Sequence, residues 1–197
     1  MSSFLATDQA VFEWINQACQ QDWLDAVVPY WRDKVSWVPA YLVALGWLLW
    51  RYRRAGLLFV LLVGATVGTA DAVSSHLIKP TVQRARPCHE RALSPPARAF
   101  DGCGGGYSFP SSHATNHFAL GVLLFLSWGR RWGRWRWLLI GWAASIALAQ
   151  VYAGVHYPSD VTAGALLGSG LAVAAYAIYR RWPWRHITDF LPPQATA

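Results

Sequence analysis

Charged side chains are scarce in this chain. Of its 197 residues, 14% are Asp, Glu, Lys or Arg, whereas about 25% is usual for a soluble domain. The deficit is concentrated in five apolar stretches, at roughly 35–50, 56–78, 112–128, 137–154 and 161–179. A membrane-spanning helix needs about 20 apolar residues, and about 17 suffice. We therefore predict an all-α, polytopic membrane helix bundle with about five spans. The alternative, a soluble α-helical enzyme, would have too little polar surface to cover five such helices.

Lysine and arginine are absent from residues 1–21, where Asp8 and Glu13 interrupt the apolar pattern. Both the basic and the apolar region of a cleavable signal peptide are therefore missing. Apolar side chains recur there at helical spacing instead, with Asp8 as the expected N-cap. They are Phe4, Val11, Phe12, Ile15 and Cys19. We predict that residues 1–34 form an amphipathic segment on the outer leaflet. A helix packed across the mouth of the bundle is the alternative.

Repeats and low-complexity tracts are also absent, so residues 1–197 are predicted to form one domain. The net charge of +7 is not arranged as a basic stripe that would suit nucleic acid. Ten of the 17 Lys and Arg residues instead follow the first, third and fifth apolar stretches: Arg51, Arg53, Arg54, Arg130, Arg131, Arg134, Arg136, Arg180, Arg181 and Arg185. Tryptophans flank the same clusters: Trp47, Trp50, Trp128, Trp132, Trp135, Trp137, Trp182 and Trp184.

Clustered arginines and flanking tryptophans are typical of the cytoplasmic interface of a multi-pass membrane protein. The N-terminus and residues 79–111 are then predicted to lie on the extracytoplasmic face of the cell (inner) membrane. Topology and anionic lipid headgroups explain the positive charge. The bilayer is therefore the predicted partner, and nucleic acid is not.

One long connection, residues 79–111, is rich in proline and glycine and excludes a long helix. Connections of this length are often functional. Cys88 and Cys103 both lie in it, and in an oxidising compartment they are expected to form a disulfide, with Cys19 unpaired. Zinc binding by Cys88, His89 and Cys103 is the alternative, although no second paired-cysteine motif accompanies them.

Polar residues are concentrated at this same end of the apolar stretches, in three short segments. They are Lys79 and Arg86; Ser111, Ser112 and His113; and His156 and Asp160. Cations and hydroxyl donors hold the oxygens of a phosphoryl group, while imidazoles attack and protonate it. The three segments together therefore predict a site for a phosphoryl group.

The second segment opens the third apolar stretch, where Ser111 or Ser112 fits a helix N-cap. A helix N-terminus is itself an anion site. In the third segment, Asp160 follows His156 by four residues and can hold the imidazole tautomer so that the other nitrogen faces a substrate. A metal site is the alternative, built from His113, His117, His156 and Asp160. The neighbouring cations Lys79, Arg84 and Arg86 would repel a metal ion and attract an anion.

Two further polar residues lie inside apolar stretches. His117 follows His113 by one helical turn and is interpreted as a core or interface histidine bonded to a neighbour. Asp71 lies in the second stretch, two turns before Lys79, and is interpreted as an acceptor for a buried arginine or histidine.

In these segments the chain resembles the type 2 phosphatidic acid phosphatase (PAP2) family of membrane lipid phosphatases. The family carries three motifs: K-x6-R-P, P-S-G-H and S-R-x5-H-x3-D. Lys79, Arg86 and Pro87 match the first; Pro110, Ser111 and His113 match the second; His156 and Asp160 match the third. The chain departs from the pattern with Ser112 at the glycine and with Ala149 and Gln150 at the Ser-Arg pair.

The resemblance implies the helical core shared with haloperoxidases and a metal-independent, cofactor-free lipid phosphatase. His156 is then the nucleophile that forms a phosphohistidine, Asp160 orients it, and His113 protonates the leaving oxygen. The remaining family positions hold the phosphoryl oxygens: Lys79, Arg86, Ser111, the Ser112 backbone N–H and Gln150. Gln150 is neutral where the family has arginine, and Arg84 is the expected substitute for that charge.

Several lipid substrates agree with the resemblance: undecaprenyl diphosphate, phosphatidylglycerol phosphate and lipid A phosphates. Two other functions stay open at this point. A second lipid in place of water would make the protein a lipid-to-lipid phosphotransferase. The neutral Gln150 also leaves room for a weakly active or inactive protein that binds lipid phosphates.

Overall fold

The computed structural model describes residues 3–90, 93–100 and 102–181, without the side chains of 128–131. Seven α-helices occur in these ranges, and no strand: α1 Ser3–Glu13, α2 Asp22–Arg32, α3 Val38–Ala72, α4 Lys79–Val82, α5 Ser112–Trp132, α6 Trp137–Tyr152 and α7 Pro158–Arg181. The all-α prediction is confirmed. Of the predicted interfacial clusters, Trp182, Trp184 and Arg185 lie outside the described residues, as do the side chains of Trp128, Arg130 and Arg131.

Helix α3 is two helical arms joined by a kink at Arg53, whose backbone is not helical (φ 49°, ψ −118°). The arms pack against each other, because a methyl group at Gly56 would overlap the carbonyl oxygen of Leu48. Leu48 and Phe59 form a buried apolar cluster between them. The two arms correspond to the first two apolar stretches of the sequence, and a π-helical turn, Val73–Ile78, leads from the second arm into α4.

Helix α5 lies at the centre of the bundle and packs against α3, α6 and α7. Its contact with α7 is a backbone contact: a methyl group at Gly164 would overlap the carbonyl oxygen of Ser111, and one at Gly168 that of Thr115. Glycines four residues apart let two helices approach closely in this way. The approach brings the start of α7 to the start of α5, where the Ser111 N–H donates to the Asp160 carbonyl at 3.0 Å.

The glycine contact gives a first testable prediction. Gly168→Leu should destabilise the protein by about 1–3 kcal/mol or more, because the backbone of α5 has to move to admit the side chain. Gly170→Leu is the matched control, since nothing lies within 4 Å of a Cβ at Gly170 on the same helix. Thermal unfolding of both variants in the same detergent checks the prediction. Equal midpoints for the two would contradict the close α5–α7 contact.

The N-terminal helices pack over the turn between α6 and α7. Phe12 is fully buried against Tyr157, with ring centroids 5.3 Å apart. On the other side of the segment Phe4 and Trp14 are 65% and 63% exposed. The segment therefore both covers the mouth of the bundle, as the alternative interpretation has it, and presents an apolar outer surface.

The N-cap prediction for Asp8 is wrong. Helix α1 begins at Ser3, and Asp8 lies within it, 6% exposed. Its Oδ1 accepts the Ser159 N–H at 2.8 Å, and its Oδ2 accepts the Ser159 hydroxyl at 2.5 Å. Asp8 therefore satisfies an N–H in the first turn of α7, a different helix, where a carboxylate also complements the helix dipole.

Two helical segments of the described residues are long and apolar enough to cross a membrane, Val35–His89 and Pro158–Arg181. The first contains both arms of α3. Helices α5 and α6 occupy the third and fourth apolar stretches of the sequence. Each predicted stretch is therefore helical over most of its length.

Candidate active site

The three motif segments meet at one end of the bundle, around His156 in the turn between α6 and α7. The ring of His156 is buried, and its Nε2 lies 3.4 Å from Nη1 of Arg86. A guanidinium has only donors, so Nε2 accepts and the ring proton lies on Nδ1. Nδ1 faces Oδ2 of Asp160 at 3.6 Å and has no hydrogen-bond partner among the described residues. This tautomer leaves the Nε2 lone pair on the side of the cations.

Burial lowers the pKa of His156 to about 4, with Asp160 opposing the shift and the charges of Arg86 and Lys79 adding to it. The imidazole is therefore neutral at physiological pH. A neutral imidazole with a directed lone pair is the form that attacks phosphorus.

The depressed pKa has a consequence for stability. An unfolded chain protonates this ring near the ordinary value of 6.5, whereas the folded protein does so only near 4. The unfolded state then binds more protons between these values, so stability falls as pH falls from about 6.5 to about 4. At about 1.4 kcal/mol per pKa unit, the loss assigned to His156 is up to about 3 kcal/mol. Thermal midpoints from pH 7 to pH 4.5 should fall less in His156→Gln than in the wild type. Parallel curves would contradict a buried, neutral ring.

Asp160 is fully buried and strongly held. Its Oδ2 accepts the Tyr157 N–H at 2.9 Å, and its Oδ1 accepts Nη1 of Arg84 at 2.7 Å. The other arm of Arg84, Nη2, donates to Oδ2 of Asp8 at 2.7 Å. Arg84 also donates to the Ser159 hydroxyl at 2.6 Å and lies over the Tyr157 ring. Arg84 is thus bound between two carboxylates. Neither carboxylate was predicted as a partner of Arg84.

Arg86 connects the His156 turn to the glycine-rich end of the long loop. Its Nη1 donates to the Val155 carbonyl at 3.1 Å, Nη2 to Gly105 at 3.2 Å, and Nε to Gly106 at 3.3 Å. Carbonyl acceptors carry no full charge, so these three bonds leave the field of the guanidinium available to an anion.

A disulfide joins Cys88 and Cys103, as predicted from the sequence, with Cα atoms 5.6 Å apart. It links the segment after Arg86 to the glycine-rich end of the loop. The bond leaves neither thiol to bind zinc, so the zinc alternative does not apply to this structure. Cys19 is the free cysteine.

The start of α5 contributes the second motif. Ser111 is buried and caps the helix, its hydroxyl accepting the Ala114 N–H at 3.5 Å. The Ser112 hydroxyl is bonded to the hydroxyls of Ser74 and Ser75, at 3.1 and 2.8 Å, in the π-helical turn. Because this side chain has other partners, the part of Ser112 suited to an anion is its backbone N–H, as the resemblance implies. Lys79, at the end of the same turn, donates to the Tyr107 carbonyl at 2.8 Å.

His113 and His117 stack on α5 with ring centroids 6.4 Å apart. Nδ1 of His117 donates to the His113 carbonyl at 2.8 Å, and its Nε2 lies 3.5 Å from the Tyr41 hydroxyl. The ring edge also contacts Trp142. His117 is therefore bonded to its neighbours, as predicted. Within the described ranges, no three His, Cys, Asp or Glu residues are grouped to hold a metal ion.

Gln150, at the arginine position of the third motif, is 1% exposed. Its Oε1 accepts a hydrogen bond from Nη1 of Arg32 at 2.8 Å, while its Nε2 has no partner in the described part of the chain. Arg32 is the last residue of α2 and was not predicted as a site residue. Its contact with Gln150 crosses 118 sequence positions, and neither residue carries a local signal of it.

The partner predicted for Asp71 is wrong in type. Its Oδ1 accepts from the side-chain amide of Asn116 on α5 at 2.8 Å, and not from an arginine or histidine. The bond joins the second arm of α3 to α5 one turn below the site.

The fold and site together define an all-helical protein with a buried histidine–aspartate pair among cations. The PAP2 superfamily model matches residues 54–184, so the chain belongs to the PAP2 superfamily, as the motifs indicated. It is 33% identical over 150 residues to the lipid A 4'-phosphatase of Bacteroides thetaiotaomicron, covering 71% of this chain and 66% of that protein. It is 28% identical over 183 residues to the Porphyromonas gingivalis lipid A 4'-phosphatase, covering 91% and 75%.

A solved structure has the same fold. The transmembrane PAP2-type phosphatidylglycerolphosphate phosphatase of Bacillus subtilis aligns with a TM-score of 0.70 and 20% identity, over 94% of this chain and 90% of that one. The chain therefore has the fold of that PAP2-type protein.

Proposed function

We propose that this protein is a lipid phosphatase that hydrolyses the terminal phosphate of a lipid phosphate or diphosphate through a phosphohistidine. The observation that carries the proposal is the His156 ring. It is buried and neutral, its Nε2 lone pair is directed to Arg86, and its Nδ1 faces the buried Asp160 carboxylate. An imidazole whose second nitrogen faces a carboxylate suits covalent catalysis, because the carboxylate stabilises the charge that the ring acquires when it attacks.

In the first step, Nε2 of His156 attacks the phosphorus, and the bond from phosphorus to the lipid oxygen breaks. His113 gives its proton to that oxygen, so the lipid leaves as an alcohol or, from a diphosphate, as a monophosphate. Bound dianionic phosphate favours the protonated form of His113 that this step needs. Asp160 stabilises the positive charge that develops on the His156 ring.

In the second step, water attacks the phosphohistidine, and His113 accepts the proton of that water. The bond from phosphorus to Nε2 breaks, inorganic phosphate leaves, and His156 returns to its neutral form. The phosphoryl oxygens are held by Lys79, Arg86, the Ser111 hydroxyl and the Ser112 N–H at the start of α5. These donors meet the charge where it develops in the transition state. Arg84 positions Asp160 in this account.

Among lipid substrates, lipid A phosphates have the strongest support, because both relatives named above are lipid A 4'-phosphatases. The test is phosphate release by the purified full chain from a panel of lipid A, undecaprenyl diphosphate, phosphatidylglycerol phosphate and phosphatidic acid, in buffer with EDTA. We expect turnover of at least one lipid. Absence of release from all of them would refute the proposal, and release that requires added zinc or magnesium would refute its metal-free chemistry.

We further propose five membrane crossings, with the site on the extracytoplasmic face of the cell (inner) membrane. The site lies at the start of α5 and α7, whereas the arginine clusters lie at the Arg53 kink, at Gly133–Arg136 and at the end of α7. The positive-inside rule assigns that opposite end to the cytoplasm, and the Cys88–Cys103 disulfide suits an oxidising compartment.

Thiol labelling tests this orientation. In a background with Cys19 replaced by serine, a cysteine introduced at Ser94 should react with a membrane-impermeant reagent in intact cells. A cysteine introduced at Arg134 should react only after the membrane is permeabilised. Both positions are exposed, so accessibility of the side chain does not separate them. The reverse pattern would put the site in the cytoplasm.

A further inference from the structure

We propose that Arg32, on the N-terminal helix α2, supplies the phosphate-binding cation that the third motif lacks, and that Gln150 holds it in place. The inference rests on the proposed function and adds a ligand to the same site. Its geometric basis is the hydrogen bond from Nη1 of Arg32 to Oε1 of Gln150, 2.8 Å long. Gln150 stands where the family pattern has arginine, so a guanidinium from another helix reaches the side chain at that position.

The position of Arg32 is fixed by the face of α2 on which it lies. Asp25, Val28 and Arg32 are spaced at i, i+3 and i+7, and therefore line one side of the helix. All three contact the last turns of α6: Asp25 accepts from the Tyr152 hydroxyl, Val28 packs with Ala149 and Tyr152, and Arg32 reaches Gln150. These three contacts along one face fix the register of α2 against α6.

Tryptophans hold the end of α2 from a second side. Trp31 Nε1 donates to the Ser145 hydroxyl on α6 at 3.0 Å, and Trp37 Nε1 donates to the Trp31 carbonyl at 2.8 Å. Trp37 also packs edge-on against Trp142 of α6, with centroids 5.4 Å apart. Arg32 therefore lies at a helix end that is anchored on two sides.

The charge of Arg32 acts on the site itself. It is among the positive charges that repel Arg86 and protonated His113, the proposed phosphate ligand and general acid. An anion bound at the site is attracted by all of these charges, and a phosphoryl dianion is the anion that the rest of the site suits.

The amide of Gln150 points to the same ligand. Its oxygen is used by Arg32, while its buried Nε2 has no acceptor among the described residues. A buried amide donor needs an acceptor, and a phosphoryl oxygen supplies one. Gln150 then serves twice, as an acceptor that orients Arg32 and as a neutral donor to the phosphate. An arginine at position 150 would have no acceptor oxygen for Arg32 and would repel it. The guanidinium at this part of the site can therefore come from position 32 or from position 150, but not from both.

The test measures vanadate binding and phosphate release in parallel, using the purified full chain. Vanadate mimics the five-coordinate phosphorus and needs no turnover to bind. We expect Arg32→Gln to weaken vanadate binding and to lower kcat/KM for the best lipid, each at least tenfold. Adding Gln150→Arg to Arg32→Gln should restore at least half of the lost vanadate affinity on a logarithmic scale. Arg134→Gln, at the other end of the bundle, is the control and should change neither quantity.

The inference is overturned if Arg32→Gln binds vanadate within twofold of the wild type. Should Arg32→Gln not fold, Arg32→Lys tests the same point: losing the planar fork should weaken vanadate binding at least threefold, and wild-type affinity would overturn the inference. Vanadate binding that depends on Arg32, without phosphate release from any lipid, would refute the proposed function and support Arg32 as a ligand of the bound anion. Absence of vanadate binding by the wild type overturns both.

Discussion

His156→Ala should lose turnover by on the order of 10⁴-fold or more, because the variant has no atom on which the phosphoryl group can be carried. Substrate binding should persist, since the cations and the start of α5 are unchanged. The measurement is kcat for phosphate release from the best lipid, together with lipid binding at equilibrium. His89→Ala is the control, because His89 is an exposed histidine on the long connection between α4 and α5, away from the His156 turn.

The result separates a nucleophile from a histidine that only orders water. If His156→Ala keeps a tenth of the wild-type kcat while His89→Ala is unchanged, the phosphoryl group is not transferred to His156. A simultaneous loss of lipid binding would instead indicate that the turn between α6 and α7 has collapsed, and His156→Gln, which keeps the volume of the side chain, then distinguishes the two.

His113→Ala should have the second largest effect, and its size should depend on the leaving group. General acid catalysis contributes about 10²–10⁴-fold when the leaving oxygen is a poor leaving group. A lipid alkoxide needs the proton, whereas p-nitrophenolate leaves without it. We therefore expect a loss of about 10²–10⁴-fold in kcat/KM for a lipid phosphate and a loss at least tenfold smaller for p-nitrophenyl phosphate. Equal losses on both substrates would contradict the role of His113 as the acid.

The helices were predictable because each depends on a local composition. Long uncharged stretches specify helices that an apolar environment must cover, and each of the five is helical over most of its length. The sharp reversal at Arg53 coincides with the arginine-rich gap between the first two stretches. The arginines in that gap predicted a membrane interface. They did not predict how closely the two arms pack, which is seen in the lack of space for a side chain at Gly56.

The motif residues were predictable for a related reason: fixed spacings within short segments bring them together at helix ends. Residues from the N-terminal helices carry no such signal. Asp8 resembles a local N-cap, yet its contacts lie 151 positions away at Ser159. Arg32 looks like an ordinary basic residue at a helix C-terminus. Contacts between distant segments depend on how α1 and α2 pack, and no local pattern in the sequence reveals that packing.

The same limitation explains why the partner predicted for Asp71 was wrong and why the partners of Arg84 were not predicted. An ionisable residue in an apolar stretch needs a hydrogen-bond partner, and Asp71 has one. The partner is the side-chain amide of Asn116, and not the arginine or histidine that was predicted. Arg84 lies two residues before Arg86 and resembles a second cation for the phosphate. The carboxylates of Asp8 and Asp160 both bind it, and Asp8 lies on a helix that has no sequence link to the motif.

Chemical trapping of the phosphoryl group tests the central claim most directly. The full chain is mixed with a lipid carrying a ³²P-labelled terminal phosphate, quenched in base within the first turnover, digested and mapped. The account predicts base-stable, acid-labile label on the peptide that contains His156, absent from His156→Ala and longer-lived in His113→Ala, where hydrolysis is slowed. Label on a different residue, or full turnover with no labelled protein at any time before the steady state, would contradict it.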